Sequence, residues 1–526
     1  MSPDALNDRE QRALRIVRRF GLFGALLLAF GSLGAGAAPV LNPVLDIPVL
    51  RVFARIPAVS LAVAFAGMGV VVVAWLLLGR FARPDRPRVA NKAQLHRTML
   101  TWALPLVAIP PLFSRDVYSY LAQSKIVFLG MDPYSLGPAE ALGIDDPLTM
   151  GVSNIWRETP APYGPLFLQL GSWITAITGN NVMAGVLLQR ALALCGVALI
   201  VWALPRLAER FGVQPCTALW LGAANPLVLF HLIAGAHNEA LAIGLMLAGL
   251  EVGIRRLPVR VWGDSPPPLA RGELGFIVLG AVLISLGAAV KINAIVALGF
   301  FGVMIARRWH GRIVDLLRVG AVMVVISAAV LVAVSFATGL GFGWIGAVTT
   351  PGTVRSWLSP LAELVSVGAL LGVALGLGNH SDALAPILQT LGMLTAAAIT
   401  VKFLLDSLRW RYRPVIGLGV SLGAFMVLHV AMQPWWVLWA VIPLAAAAGT
   451  SRFRAVATAV SVALALAVFP TGSTFIGRVF VVQQAYIAGL IVIGIAVLVV
   501  RYKGPELFRW EPRGFGHRKR TRQLRG

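Results

Sequence analysis

Cysteine is nearly absent: Cys195 and Cys216 are the only two in 526 residues, both inside apolar stretches and without ligand spacing. A disulfide framework or a thiolate metal centre is therefore excluded as an organising device. Charge is scarce as well, at 13% of residues, and acid scarcer still, with 22 Asp and Glu against 45 Lys and Arg. No Walker or Gly-rich nucleotide loop occurs, which argues against ATP or a nucleotide sugar as substrate. No paired carboxylates stand at metal-ligand spacing, and no internal repeat is evident.

What fills the chain instead is hydrocarbon. With 58% hydrophobic residues in run after run long enough to cross a bilayer, the composition is that of an all-α polytopic membrane protein, not of a soluble domain. The formal charge of +23 then reads as basic cytoplasmic loops, and no nucleic-acid partner is expected. Apolar patterning predicts fourteen spans (range 12 to 16), near 20–38, 57–79, 97–113, 183–205, 215–233, 237–254, 274–290, 292–306, 314–337, 385–408, 415–431, 435–449, 455–470 and 479–500. Two shorter or Gly-rich stretches, 163–179 and 361–378, either span or lie re-entrant on one side. The first span follows a basic segment and ends in a signal-peptide-like Ala-rich stretch; its length and the spans behind it predict an uncleaved anchor.

Charge bias selects the threading. If 163–179 and 361–378 do not cross, both termini are cytoplasmic and most basic residues lie inside, including Arg80 to Arg97, Arg255 to Arg271, Arg307 to Arg312 and Arg409 to Arg413. If both cross, nine basic residues from Arg206 to Arg312 move outside, against the positive-inside rule. The favoured organisation is a cytoplasmic N-terminus (1–19), three spans (20–113), an extracytoplasmic loop with a re-entrant or juxtamembrane segment (114–182), the remaining bundle (183–500) and a basic cytoplasmic tail (501–526). That tail is attracted to anionic membrane lipid. The scattered glycines, 54 in all, suit close helix packing.

This threading gathers the residues that are costly in a membrane at the outer ends of spans. Asp116 follows span three; Arg190 lies in span four; His237, Asn238 and Glu239 open span six; Lys291 stands between spans seven and eight; Gln433, Trp435 and Trp436 stand between eleven and twelve. Intramembrane ionisable groups are functional candidates by default, with mutual pairing as the plain alternative. Asp116 differs from the other acids of the outer loop because it sits at the hydrocarbon boundary, where desolvation and Arg115 act on its proton in opposite directions. Arg190 suits a phosphate as a bidentate donor or pairs with an acid such as Glu239. The tryptophans belong either to an aromatic belt or to a sugar-stacking surface.

The segments FSRDVYSYLAQ, MDPY, TPAPYGPLF, GAHNEAL, VKINAIVAL and QPWWVLWAVIPLA resemble the actinobacterial polyprenol-phosphate-mannose-dependent alpha-1,6-mannosyltransferases of lipomannan and lipoarabinomannan synthesis, members of the C-type glycosyltransferase (GT-C) superfamily. The resemblance runs from about residue 97 to 450. It implies a GT-C fold at the plasma membrane with an extracytoplasmic site, a polyprenyl-phosphate mannose donor, a lipid-anchored mannan acceptor and inversion at the anomeric carbon. Asp116 matches the superfamily's general base. Arg190, Lys291, Arg115 and His237 are the expected donor-phosphate ligands. Tyr118, Tyr163, Asn238, Glu239, Gln433, Trp435, Trp436 and His380, the last beside Asp382, are the expected sugar or acceptor ligands. A monophosphate donor beside fixed cations requires no metal, so no cofactor is expected. Two rivals share these features: a transporter or flippase of lipid-linked sugars, and a transferase using another donor such as polyprenyl-phosphate arabinose.

Overall fold

The structure, a computed structural model, describes residues 5–40, 42–86, 88–258, 267–447, 449–472 and 479–508. The expected basic tail beyond residue 508 lies outside them. The described residues are helical, with no strand among them beyond a single bridge between Ala5 and Val89.

The principal helices, in order, are α1 (Asp8–Ala35), α2 (Pro57–Leu78), α3 (Lys92–Ala103), α4 (Asp116–Phe128), α5 (Pro165–Thr178), α6 (Val182–Arg210), α7 (Glu239–Ile254), α8 (Glu273–Val290), α9 (Val296–Ala306), α10 (Ile313–Ala337), α11 (Pro360–Ala374), α12 (Ser381–Leu408), α13 (Pro414–Val427), α14 (Leu438–Ala447), α15 (Ser451–Ala467) and α16 (Val479–Lys503). Seven are long and apolar enough to cross a membrane, and a pair bent by 61°, Pro215–Ala223 with Val228–Ala234, makes an eighth if counted as one span. The other six expected spans, 97–113, 237–254, 292–306, 415–431, 435–449 and 455–470, fall on shorter or interrupted helices. The expected segment 97–113 shows why: its helix, α3, ends at Ala103, where Pro105 and the Pro110-Pro111 pair remove the amide donors a continuing helix needs. The ambiguous stretches become α5 and α11, of 14 and 15 residues. At 1.5 Å per residue these reach only about 21–23 Å, short of the ~30 Å hydrocarbon core.

Close packing rests on glycine. A Cβ on Gly67 of α2 would lie 2.4 Å from Leu28 N of α1, and one on Gly31 would lie 2.5 Å from Ala64 N. The same device joins α7 to both flanking helices, through Gly244 against Gly196 O at 2.5 Å and Gly249 against Gly280 O at 2.6 Å. Small residues let backbones approach where lipid offers no hydrophobic gain from burying larger ones. So enclosed, α7 is buried along its whole length apart from half-buried Leu245. Its first residue, Glu239, is thereby fixed in the interior.

Candidate functional site

Two loops of unfavourable backbone geometry aim the central side chains. Phe113 (φ +66°) and Ala236 (φ +54°) are two of only three non-glycine residues with positive φ among those described, a conformation that costs about 1–2 kcal/mol for an L residue. Both are pinned from outside. Phe113 N–H donates to Pro470 O at 2.8 Å, its ring stacks on Phe230 at 5.2 Å, and Leu112 N–H reaches Ala234 O at 3.4 Å. Gly472, itself at φ +67°, comes so near Ser114 that a Cβ would stand 2.8 Å from its Cα. Three residues after each strained position, the chain presents an acid: Asp116 opens α4 and Glu239 opens α7.

The two acids converge on one imidazole. His237 Nδ1 lies 3.6 Å from Asp116 Oδ2 and 3.8 Å from Glu239 Oε2, with Tyr120 OH at 3.4 Å; which partner donates in that last contact depends on the tautomer. The His237 ring stacks on Trp435 at 3.9 Å and 28°. Trp435 Nε1–H donates to Glu239 Oε1 at 3.0 Å. Lys291 Nζ pairs with the same Glu239 oxygen and lies 5.7 Å from the Trp436 ring centre. Lys291 is itself tied to the loop between α4 and α5, because Gly164 N–H donates to Val290 O at 3.1 Å and a Cβ on Gly164 would meet Ala289 O at 2.1 Å. Tyr163 meets Tyr120 edge to face at 5.0 Å.

The acids differ in access. Glu239 is 1% exposed and held by Lys291 and Trp435, whereas the Asp116 side chain keeps 26% of its surface. Burial, with Glu239 nearby, pushes the Asp116 carboxyl up to about 6, while Ser114 and Lys291 pull in the other direction. Burial likewise raises the Tyr120 and Tyr163 phenols, which stay protonated. Several enclosed polar atoms have no hydrogen-bond partner among the described residues: His237 Nε2, both amide atoms of Asn238, and Glu239 Oε2. Such atoms are expensive to leave unmet, and His237, to which the other two residues are joined in sequence, contacts the more accessible carboxylate, Asp116. A base with hydroxyl-binding groups beside a lysine is an arrangement suited to deprotonating an alcohol next to an anion.

Not every expected ligand joins this cluster. The Arg190 guanidinium is buried and donates to Ile233 O (3.1 Å), Val107 O (2.7 Å) and Ala234 O (3.0 Å); it joins the segment after α3 to the C-terminal end of the Val228–Ala234 helix and does not pair with Glu239. Arg115 donates to Gly151 O at 3.0 Å and Ala38 O at 3.4 Å and lies over Tyr118, so it holds the loop. Tyr118 OH donates to Ala37 O at 2.5 Å. Gln433 donates to Ala431 O at 3.2 Å. His380 is exposed where α12 begins, packed by Gly372, and Asp382 faces Arg355 at 3.9 Å. Sequence reasoning missed Tyr120, one turn after Asp116 on the same helix face, and His231, a lone ionisable residue in an apolar run that lies 5.2 Å from both Phe113 and Trp435. It also missed His429, which meets Trp436 at 5.3 Å. Among the described residues no group of three or more His, Cys, Asp or Glu is arranged to hold a metal ion.

Residues 18–307 match the family model described as "Alpha-(1->6)-mannopyranosyltransferase, N-terminal domain", and residues 362–499 match "MptB C-terminal domain". The chain is 43% identical to a probable alpha-(1->6)-mannopyranosyltransferase of Mycolicibacterium smegmatis, over 92% of this chain and 88% of that one. It is 40% identical to an alpha-(1->6)-mannopyranosyltransferase of Mycobacterium tuberculosis, over 96% and 90%, and 36% identical to alpha-(1->6)-mannopyranosyltransferase B of Corynebacterium glutamicum, over 90% and 82%. Superposed on the oligosaccharyltransferase AglB of Archaeoglobus fulgidus, it gives a TM-score of 0.36 at 14% identity, over 86% of this chain and 56% of that one, too distant a likeness to bear on the argument.

Proposed function

The chain belongs to the alpha-(1->6)-mannopyranosyltransferase family, a membrane glycosyltransferase, and from that premise we propose that it transfers mannose with inversion from polyprenyl-phosphate mannose to the 6-hydroxyl of a growing lipid-linked mannan. The single observation that carries this reading is the unequal pair of acids, Asp116 open and ionising near neutrality, Glu239 shut away on Lys291. Only one of them is free to work as a base.

Asp116 accepts the proton of the acceptor hydroxyl as its oxygen attacks C1 of the donor mannose. The bond from C1 to the phosphate oxygen breaks, and its electron pair leaves with the phosphate, which becomes a monoester. Lys291, 18% exposed, is the cation at hand for that growing charge. Asn238 and Tyr120 orient hydroxyls, and Trp435 and Trp436 supply apolar faces for a sugar ring. Transfer takes place on the extracytoplasmic face in a GT-C fold, with both termini cytoplasmic, and proceeds without a metal ion.

The test is the product formed by membranes carrying this chain, supplied with polyprenyl-phosphate mannose and short alpha-1,6-mannosides. Extension by one alpha-1,6-linked mannose, undiminished in EDTA, is expected. No product from mannose donor but product from polyprenyl-phosphate arabinose would remove the donor assignment; strict loss in EDTA would remove metal independence. Movement of the lipid-linked sugar across the bilayer without transfer would replace the enzyme by a transporter.

A further inference from the structure

At the opposite end of three helices that carry the cluster lies a cavity of about 460 Å³. Helix α7 runs from Glu239 to Ile254, which lines the cavity; α9 follows Lys291 and ends beside Arg307; α13 begins beside Arg413 and leads back towards Trp435. At 1.5 Å per residue, α7 alone separates the two regions by about 24 Å.

Five arginines line this cavity, with no carboxylate among its lining residues. Two are neutralised, Arg308 by buried Glu273 and Arg411 by Asp406 at 3.0 Å. The other three, Arg210, Arg307 and Arg413, make no ion pair with any described residue and are held in place by carbonyl oxygens: Arg210 by Leu257, Arg307 by Ser407 and Tyr412, Arg413 by Ala447. Carbonyls fix a guanidinium without cancelling its charge. Arg307 Nε is enclosed and has no hydrogen-bond partner among the described residues, and its guanidinium lies 4.0 Å from the ring centre of Trp410. Trp410 is the third non-glycine residue at positive φ (+63°), and such strain collects where a ligand is clamped.

We propose that this cavity binds the phosphate of an anionic lipid headgroup. Planar, preorganised guanidiniums match phosphate oxygens, and three of them without an ion pair among the described residues, with Glu251 near Arg210 itself paired with Arg255, call for an anion. The lipid source follows from the place and the other wall. The cavity stands at the ends of α6 and α12, two helices long and apolar enough to cross a membrane, where headgroups lie, and Ile254, Leu257 and Met304 give it an apolar side that a free anion cannot use. The inference is independent of the reaction proposed above.

Full-length protein in nonionic detergent is titrated with short-chain phosphatidic acid, short-chain phosphatidylcholine and inorganic phosphate, with native mass spectrometry and the thermal midpoint as readouts. Phosphatidic acid binds and raises the midpoint, more tightly than either control and less tightly as salt increases. The Arg210→Gln/Arg413→Gln pair weakens it by about a hundredfold, about tenfold for the charge-assisted hydrogen bond lost at each arginine, while Arg210→Lys/Arg413→Lys, which keeps both charges without the planar fork, weakens it less. Failure of phosphatidic acid to bind, or equal loss in the Gln and Lys pairs, overturns the proposal; equal binding of inorganic phosphate overturns its lipid part. Should the Gln pair not fold, the salt response and the phosphatidylcholine control in the unaltered chain still decide it.

Discussion

The two ends of α7, α9 and α13 solve the problem of buried charge in opposite ways. At one end Asp116, His237, Glu239 and Lys291 form a mixed-sign network in which a single carboxylate remains open; at the other, arginines are held by backbone oxygens and keep their charge. Both ends are held by strained backbone, since Phe113 and Ala236 serve the first and Trp410 the second. The difference teaches that position in a membrane bundle does not settle what a charge is for. Access decides as much as pairing: Arg190 is fully buried on carbonyl oxygens, whereas Lys291 keeps 18% exposure beside Glu239, and Arg210, Arg307 and Arg413 line a cavity that a ligand can enter.

The contrast is broken or sharpened first by Asp116→Asn. This change should lower the transfer rate by about 10²–10⁴-fold, the usual share of a general base, with donor binding intact. Arg413→Gln, at the far end, should leave the rate in detergent near that of the unaltered chain; comparable losses would erase the distinction. Next comes Lys291→Met, which leaves buried Glu239 uncompensated and should cost about 3–5 kcal/mol in thermal unfolding. Adding Glu239→Gln should recover most of that, and a double mutant no better than the single would show the pair to be uncoupled.

The third test is acidity. The Asp116 carboxyl is raised to about 6 from its ordinary value, so the base is protonated below that point and active above it. The kcat/KM for transfer should fall about tenfold per pH unit below about pH 6, whereas a profile flat down to pH 4 would remove Asp116 as the titrating base. Gly164→Ala is smaller in scale: a methyl 2.1 Å from Ala289 O must displace backbone, at about 1–3 kcal/mol in the thermal midpoint. The smallest effect sets the strained loops against each other. Ala236→Gly relieves about 1–2 kcal/mol of strain and gives back about 0.5–1 in chain entropy, a net gain of about 0–1.5 kcal/mol. Trp410→Gly relieves similar strain but loses the stacked Arg307, and should destabilise.

That Asp116, His237, Glu239, Lys291 and the Trp435-Trp436 pair gather at one place was legible in sequence, because each stands at the end of an apolar run and the threading brings those ends together. Their pairing was not, since Lys291 and Glu239 are 52 residues apart and nothing in either segment names the other. Arg190 misled for a physical reason. The helix Val228–Ala234 ends in carbonyls that point into the interior, and a buried arginine donating to Ile233 O and Ala234 O looks, in sequence, the same as one meeting a phosphate. Hydropathy found the apolar segments but overcounted the continuous helices, because it responds to composition and not to bends such as the 61° break or the stop at Pro105.

The bond from Gly164 N–H to Val290 O couples two things that a bound substrate would otherwise meet separately. The segment before α5 is thereby fastened to the backbone that carries Lys291, so whatever displaces one displaces the other: a change at Gly164 should reach the pairing of Lys291 with Glu239, 52 residues away from it in the chain.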